Sequence, residues 1–324
     1  MREPVAHRRA ASRAEIVAAF AAVYVLWGST YLAIRFGVET IPPFLLAGIR
    51  HLTAGTLLFG WLRLRGTPWP TWKHWRAAAA VGGLLLLGGN GLVTWAEQKV
   101  PSGLAALIVA SVPIWMTLLD GLERRERPHG VVLAGLGMGI AGIAFLVAPG
   151  RFAGGEHVDP WGAAALLTAA LLWAIGSLYS KRAGLPASTL LATAMEMIAG
   201  GLILLSVSAV TREWAGFSAA AVSGKSILAL GYLIVAGSLL GFSAYVFLLG
   251  ATTPARVSTY AYVNPLVAVF LGWLFAGEAL TPRTLIAAIV IVAAVALIIR
   301  HGARRAVAPV EENVDPLRAE GGRR

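Results

Sequence analysis

LWGSTYLAIRFG at residues 26–37 and LLWAIGSLYSKRAG at residues 171–184 are two versions of one apolar segment. Trp27 aligns with Trp173 and Arg35 with Lys181, both 146 residues apart. Further along, Pro113 aligns with Pro265 and Glu126 with Glu278, both 152 residues apart. Residues 16–127 and 162–279 therefore carry one pattern twice. A repeat built from strongly apolar segments points to a membrane protein of two halves with a pathway between them.

Composition supports the same class. The 324 residues are 57% hydrophobic and 13% charged, with a mean hydropathy of +0.72. A soluble domain of this length could not cover so much apolar surface, so the bilayer is its solvent. The chain has no cysteine, which excludes a disulfide framework and a thiolate metal site. The formal charge of +11 would suggest nucleic acid in a soluble protein, but here its distribution matters more.

A helix needs ~20 apolar residues to cross the hydrocarbon. Ten segments qualify: 15–35, 42–62, 76–96, 101–120, 130–149, 161–180, 188–209, 225–249, 254–276 and 283–300. Twenty Lys and Arg flank the side that holds the N-terminus, including Arg2, Arg8, Arg9, Arg13, Arg127 and Arg256, whereas five flank the other: Lys99, Arg151, Arg212, Lys225 and Arg283. This bias places both termini in the cytoplasm. The first apolar run is too long for a signal peptide and lacks a convincing cleavage site, so it is read as a retained span. The expected organisation is a cytoplasmic N-terminus at 1–14, a first five-helix repeat at 15–149, a second at 160–300 and a disordered cytoplasmic tail at 301–324.

Five spans per half is an odd number, so the second half enters the membrane from the opposite side. The fold expected is an all-α integral membrane protein of ten transmembrane helices, built as two inverted five-helix repeats. The stretches 26–55, 88–113 and 260–282 resemble the EamA family of the drug/metabolite transporter superfamily, and within it the YedA-type inner-membrane permeases. The resemblance runs from about residue 16 to 300 and includes the Pro-to-Glu spacing of 13 in each repeat. It implies ten helices around a central cavity, export of amino acids, metabolites or drugs, and an inner-membrane location. The first copy departs from the pattern at DGLERRERP (120–128), where charges follow the apolar run and leave the end of span 4 open.

Polar groups inside hydrocarbon each ask for a cavity or a partner. In span 3, Asn90, Thr94 and Glu97 share one helical face that is expected to line the pathway, with Glu97 at its outer end. The alternative for Glu97 is a solvated place in the exterior loop. Trp27, Tyr31 and Arg35 step by four along span 1, and Trp173, Ser177 and Lys181 along span 6. Aromatic faces with a few hydrogen-bonding tips make a pocket for flat or amphipathic solutes, and close packing of the two helices is the alternative. Arg35 and Lys181 are expected to reach opposite interfaces. In span 9, Tyr260 and Asn264 share a face, with Ser258 and Tyr262 half a turn away, while Phe242 and Tyr245 offer a wall from span 8.

Arg50 and Glu196, again 146 apart, are the deepest charges. Each lies about eight residues inside its span, roughly 12 Å deep, so they could pair if their helices are neighbours. Glu196 is then a candidate proton-coupling group, with a structural ion pair as the alternative. Pro113 and Pro265 interrupt spans 4 and 9 and are candidate hinges, or static bends. Gly135, Gly139 and Gly142 allow close helix approach in span 5, within a monomer first and across a dimer second.

The function expected is a secondary transporter that exports small organic solutes by alternating access, using the bilayer, a small-molecule substrate and optionally protons. A passive channel is the alternative. A membrane-embedded enzyme is a distant third, because no HExxH, no paired mid-span carboxylates and no P-loop motif occur. No cofactor, metal or nucleic acid is expected.

Overall fold

The computed structural model describes residues 12–125, 130–147, 159–252, 257 and 259–307. Glu126, Arg127, Arg151, Arg256, Ser258, the N-terminal Arg2, Arg8 and Arg9, and residues from 308 onward lie outside them.

Each long apolar run becomes a helix with an identifiable start. Helix α1 (Arg13–Gly37) opens on a capping box between Ser12 and Glu15. Helix α2 (Pro43–Leu64) starts on Pro43, whose missing N–H would be unpaired there in any case. Helix α3 (Trp72–Ala96) follows Thr71. Helices α4 (Ser102–Val109) and α5 (Val112–Arg124) together form the fourth span, and α6 (Gly130–Val147) the fifth. The second repeat holds α7 (Pro160–Ser180), capped by Asp159, and α8 (Thr189–Val210), capped by Ser188. Helix α9 starts at Gly224 and ends with Gly241–Ala251, followed by α10 (Tyr260–Ala276) and α11 (Pro282–Val307). Among the described residues there is no strand, nine helices are long and apolar enough to cross a membrane, and α10 is a shorter apolar one. Helix α11 runs seven residues past Arg300, into the stretch expected as tail.

Three spans depart from plain α-helix. The third span of each repeat carries a π-helical stretch, Gly83–Gly91 in α3 and Leu233–Leu240 in α9. Such widened turns re-aim side chains and concentrate at functional sites. The fourth span breaks at Ala110 and Ser111, so Pro113 lies in the first turn of α5, where proline is tolerated. Pro265 instead lies inside α10 and leaves the carbonyl of Ala261 without its helical partner.

The halves meet about a pseudo-two-fold axis. Helix α2 packs most extensively on its repeat mate α8, and α6 on its mate α11. A Cβ at Gly55 would lie 2.8 Å from Ile198 N, and one at Gly201 would lie 2.6 Å from Leu52 N. Both pairs of positions are 146 residues apart, so two related glycines let two related backbones touch. Gly135 and Gly142 likewise lie against Ile298 and Ile291 of α11 in the same chain.

Carboxylates tie the repeats together at one face. Glu278, just after α10, accepts from the backbone N–H of Ser102 (2.6 Å) and Gly103 (2.9 Å), and so caps α4 of the other repeat. Glu213 does the same for α2 through Phe44 N (3.2 Å) and Leu45 N (2.9 Å), and also accepts from Ser208. A carboxylate at a helix start satisfies orphan donors and the positive end of the dipole. Glu278→Ala is therefore expected to destabilise the folded protein by about 2–4 kcal/mol, since two partly buried N–H groups lose charged acceptors. Thermal unfolding in detergent reads this as a lowered midpoint.

Candidate functional site

A cavity of about 970 Å³ lies between the repeats. Its wall draws on α1, α2, α3, α4 and α5 from the first repeat and on α7, α9, α10 and α11 from the second. At one end the lining reaches Met116, Thr117, Tyr262 and Arg300, on the side of the membrane where α1 begins and α11 ends. At the other it stops at Ile34, Val93 and Ala106, short of the Glu278 and Glu213 caps.

The aromatic wall centres on Trp27. Its indole Nε1 donates to Gly237 O at 3.1 Å, and its ring lies 5.2 Å from each of Phe242, Tyr245 and Tyr260. The edge-on contacts to Phe242 and Tyr260 are favoured by the ring quadrupoles and hold the cluster in one arrangement. Across the cavity, Trp173 lies flat against Gly89, where a Cβ would come within 2.7 Å of the indole. Gly89 is thus what admits this ring, while Gly88 lies against Leu172.

Of the residues expected at the site, Trp27, Tyr31, Asn90, Trp173, Tyr260 and Asn264 line the cavity, as do Arg50, Pro113 and Pro265. Asn90, inside the π-helical stretch, has an amide oxygen with no hydrogen-bond partner. Asn264 is buried, and its amide nitrogen, in the orientation its neighbours require, donates to the carbonyl oxygens of Tyr24 and Tyr260 at 3.3 Å.

Five expected residues, Glu196 among them, do not reach the cavity wall. Thr94 is buried and turned back onto its own helix, its hydroxyl donating to Asn90 O at 2.8 Å. Glu97 neither lines the cavity nor sits in solvent: it is 0% exposed, and neither carboxylate oxygen has a hydrogen-bond donor. Ser177, near the end of α7, is not among the residues that line the cavity. Tyr245 stands behind Trp27 and supports it.

The expected Arg50–Glu196 pair is also absent. Helices α2 and α8 are neighbours, but Arg50 Nε donates to Ser238 Oγ of α9 at 3.0 Å. The two residues occupy equivalent positions on symmetry-related helices, and equivalent side chains need not point towards each other across the axis. Arg35 does not snorkel freely: its guanidinium donates to Glu97 O (2.7 Å) and Gln98 O (3.2 Å), joining α1 to the end of α3.

Sequence reasoning missed Thr30, His51, Met116, Thr117, Thr259 and Tyr262. Residues 259–262 all line the cavity, so the first turn of α10 projects into it and the face argument that set Tyr262 aside does not hold there. The signal for His51 was present in its place beside Arg50, deep in an apolar span.

Two inverted five-helix repeats enclosing a mid-membrane cavity define a polytopic membrane transporter. The chain belongs to the EamA-like transporter family, whose family model matches residues 14–148 and 160–300. It is 42% identical over 281 residues to the uncharacterized inner membrane transporter YedA of Escherichia coli K12, covering 86% of this chain and 88% of that one. The probable amino-acid metabolite efflux pump of the same strain is 27% identical, over 83% of this chain and 89% of its own. A solved crystal structure that is 23% identical covers 92% of this chain and 100% of its own with a TM-score of 0.59, which supports the fold alone.

Proposed function

We propose that this transporter is a secondary exporter of small organic solutes in the bacterial inner membrane, working by alternating access with both termini in the cytoplasm. The observation that carries this reading is the 970 Å³ cavity shared by both repeats and reaching the side where α11 ends. Exchange of the two repeats' slightly different conformations would close that side and open the other. The fourth span, broken just before Pro113, and α10, interrupted by Pro265, are the joints suited to that exchange. The capped, carboxylate-tied face is then the closed periplasmic gate.

Export as the direction is supported by the efflux pump among the relatives. Trp27, Tyr31, Asn90, Trp173, Tyr260 and Asn264 contact the solute, with Trp27 and Trp173 as opposed aromatic walls. The chain acts as a monomer without a metal or cofactor. Counterflow in proteoliposomes preloaded with pooled amino acids, organic acids and amphipathic cations is the test. Saturable exchange of one class is expected; flux that never saturates and shows no counterflow would make the protein a channel instead.

A further inference from the structure

Arg50 is 5% exposed, lines the cavity at mid-membrane, and among the described residues has no carboxylate in ion-pair contact. Its Nε is held by Ser238 in the π-helical stretch of α9, whereas Nη1 has no hydrogen-bond partner. Behind it stands Gly237, where a Cβ would come within 2.8 Å of the Thr30 methyl and 3.1 Å of Nη2, so the glycine gives the guanidinium its room. Glu97 acts on it through space, without contact, and does not line the cavity. A buried cation with an unfilled donor is costly unless something arrives to complete it. A planar fork of donors matches a carboxylate or a phosphate, and a single buried guanidinium balances the one charge of a carboxylate.

The rest of the wall points the same way. Its basic residues are Arg50, His51 and Arg300, its other titratable groups are Tyr31, Tyr260 and Tyr262, and no Asp or Glu is among the described lining residues. The charges on the wall itself are therefore positive, which disfavours a cation in a low-dielectric space. His51 is 1% exposed, and its Nδ1 lies 2.8 Å from Ala47 O. A carbonyl only accepts, so Nδ1 carries the hydrogen in the neutral ring and Nε2 is left as an acceptor. With the Asn90 amide oxygen, it offers a place for a solute N–H or O–H beside the carboxylate.

We propose that Arg50 is the carboxylate-recognition residue of the cavity, so that the transported solutes are small organic carboxylates with an apolar, ring-sized body, anionic or zwitterionic, and not amphipathic cations. This rests on the transporter reading and narrows its substrate class. Ser238 acts as a positioning residue that fixes the guanidinium.

The test uses the full chain in nanodiscs and four probes sharing one ring and chain: 3-phenylpropionate, L-phenylalanine, 3-phenylpropanamide and 2-phenylethylamine. Binding is read by quenching of tryptophan fluorescence and by thermal stabilisation. The two carboxylates are expected to bind and the amide and amine to bind much more weakly. Binding of L-phenylalanine without 3-phenylpropionate would assign the second contact to an ammonium group and keep the proposal. Arg50→Gln is expected to weaken carboxylate binding roughly 100-fold, the size seen when one partner of a buried charge pair is removed, with Arg50→Lys recovering part of it. Ser238→Ala, which keeps the charge, should weaken it less. Preferential binding of the amine, binding of none of the four, or unchanged carboxylate affinity in folded Arg50→Gln would each overturn the proposal. Counterflow with the broader pool reads transport separately, so exchange of other solutes would leave the transporter reading standing when this one falls.

Discussion

Gly201→Val is expected to abolish recovery of folded protein. A Cβ at this position would lie 2.6 Å from Leu52 N, 2.9 Å from its Cα and 3.0 Å from its Cβ, and none of these is the end of a flexible side chain. Relief would require α8 to move away from α2, the most extensive helix pair in the molecule. Overpacking that side chains can absorb already costs about 1–3 kcal/mol, and displacement of a backbone contact exceeds that. Size-exclusion chromatography in mild detergent checks the outcome, with aggregation expected in place of a single peak. Gly231→Val is the control: nothing lies within 4 Å of its added Cβ, and the protein should behave as wild type. A monodisperse Gly201→Val protein with an unchanged melting midpoint would show that the crossing of α2 and α8 is not as close as described.

Asn90→Leu is expected to leave the protein folded in the membrane and to reduce transport 10- to 100-fold in kcat/KM, the loss of about 1–3 kcal/mol of polar contact with the solute. Leucine keeps the branching of asparagine with more bulk, which the adjoining cavity has room for, and suits the helix better. What disappears is the amide whose oxygen has no partner within the protein. Flux assays on protein quantified in the membrane separate transport from expression. Wild-type flux in this variant would remove the α3 face from the site.

Much of the fold was legible because hydrophobicity and charge act along the chain. Apolar runs long enough to span hydrocarbon, broken by short polar turns, fix the number of helices, and an odd number per repeat fixes their inversion. Asn90 and Asn264 were legible for a related reason: an amide has no place against lipid, wherever its helix packs. The faces were less so. Inside a bilayer both sides of a helix are apolar, so periodicity says little about which side meets a neighbour. Depth matters as well as face: the cavity stops at Val93, so Thr94, turned back to Asn90 O, and Glu97, one turn further on, fell outside it.

Arg50 marks the boundary between the two kinds of knowledge. The sequence by itself determined that a guanidinium lies deep in the second span and that a carboxylate stands 146 residues later, because burial in a helix follows from position along it. Only the tertiary structure decided that the guanidinium turns to Ser238 and the cavity and not to Glu196. Partner choice depends on the rotation of each helix about its own axis, and that rotation is set by contacts between chain segments far apart in sequence, here the touching backbones at Gly55 and Gly201.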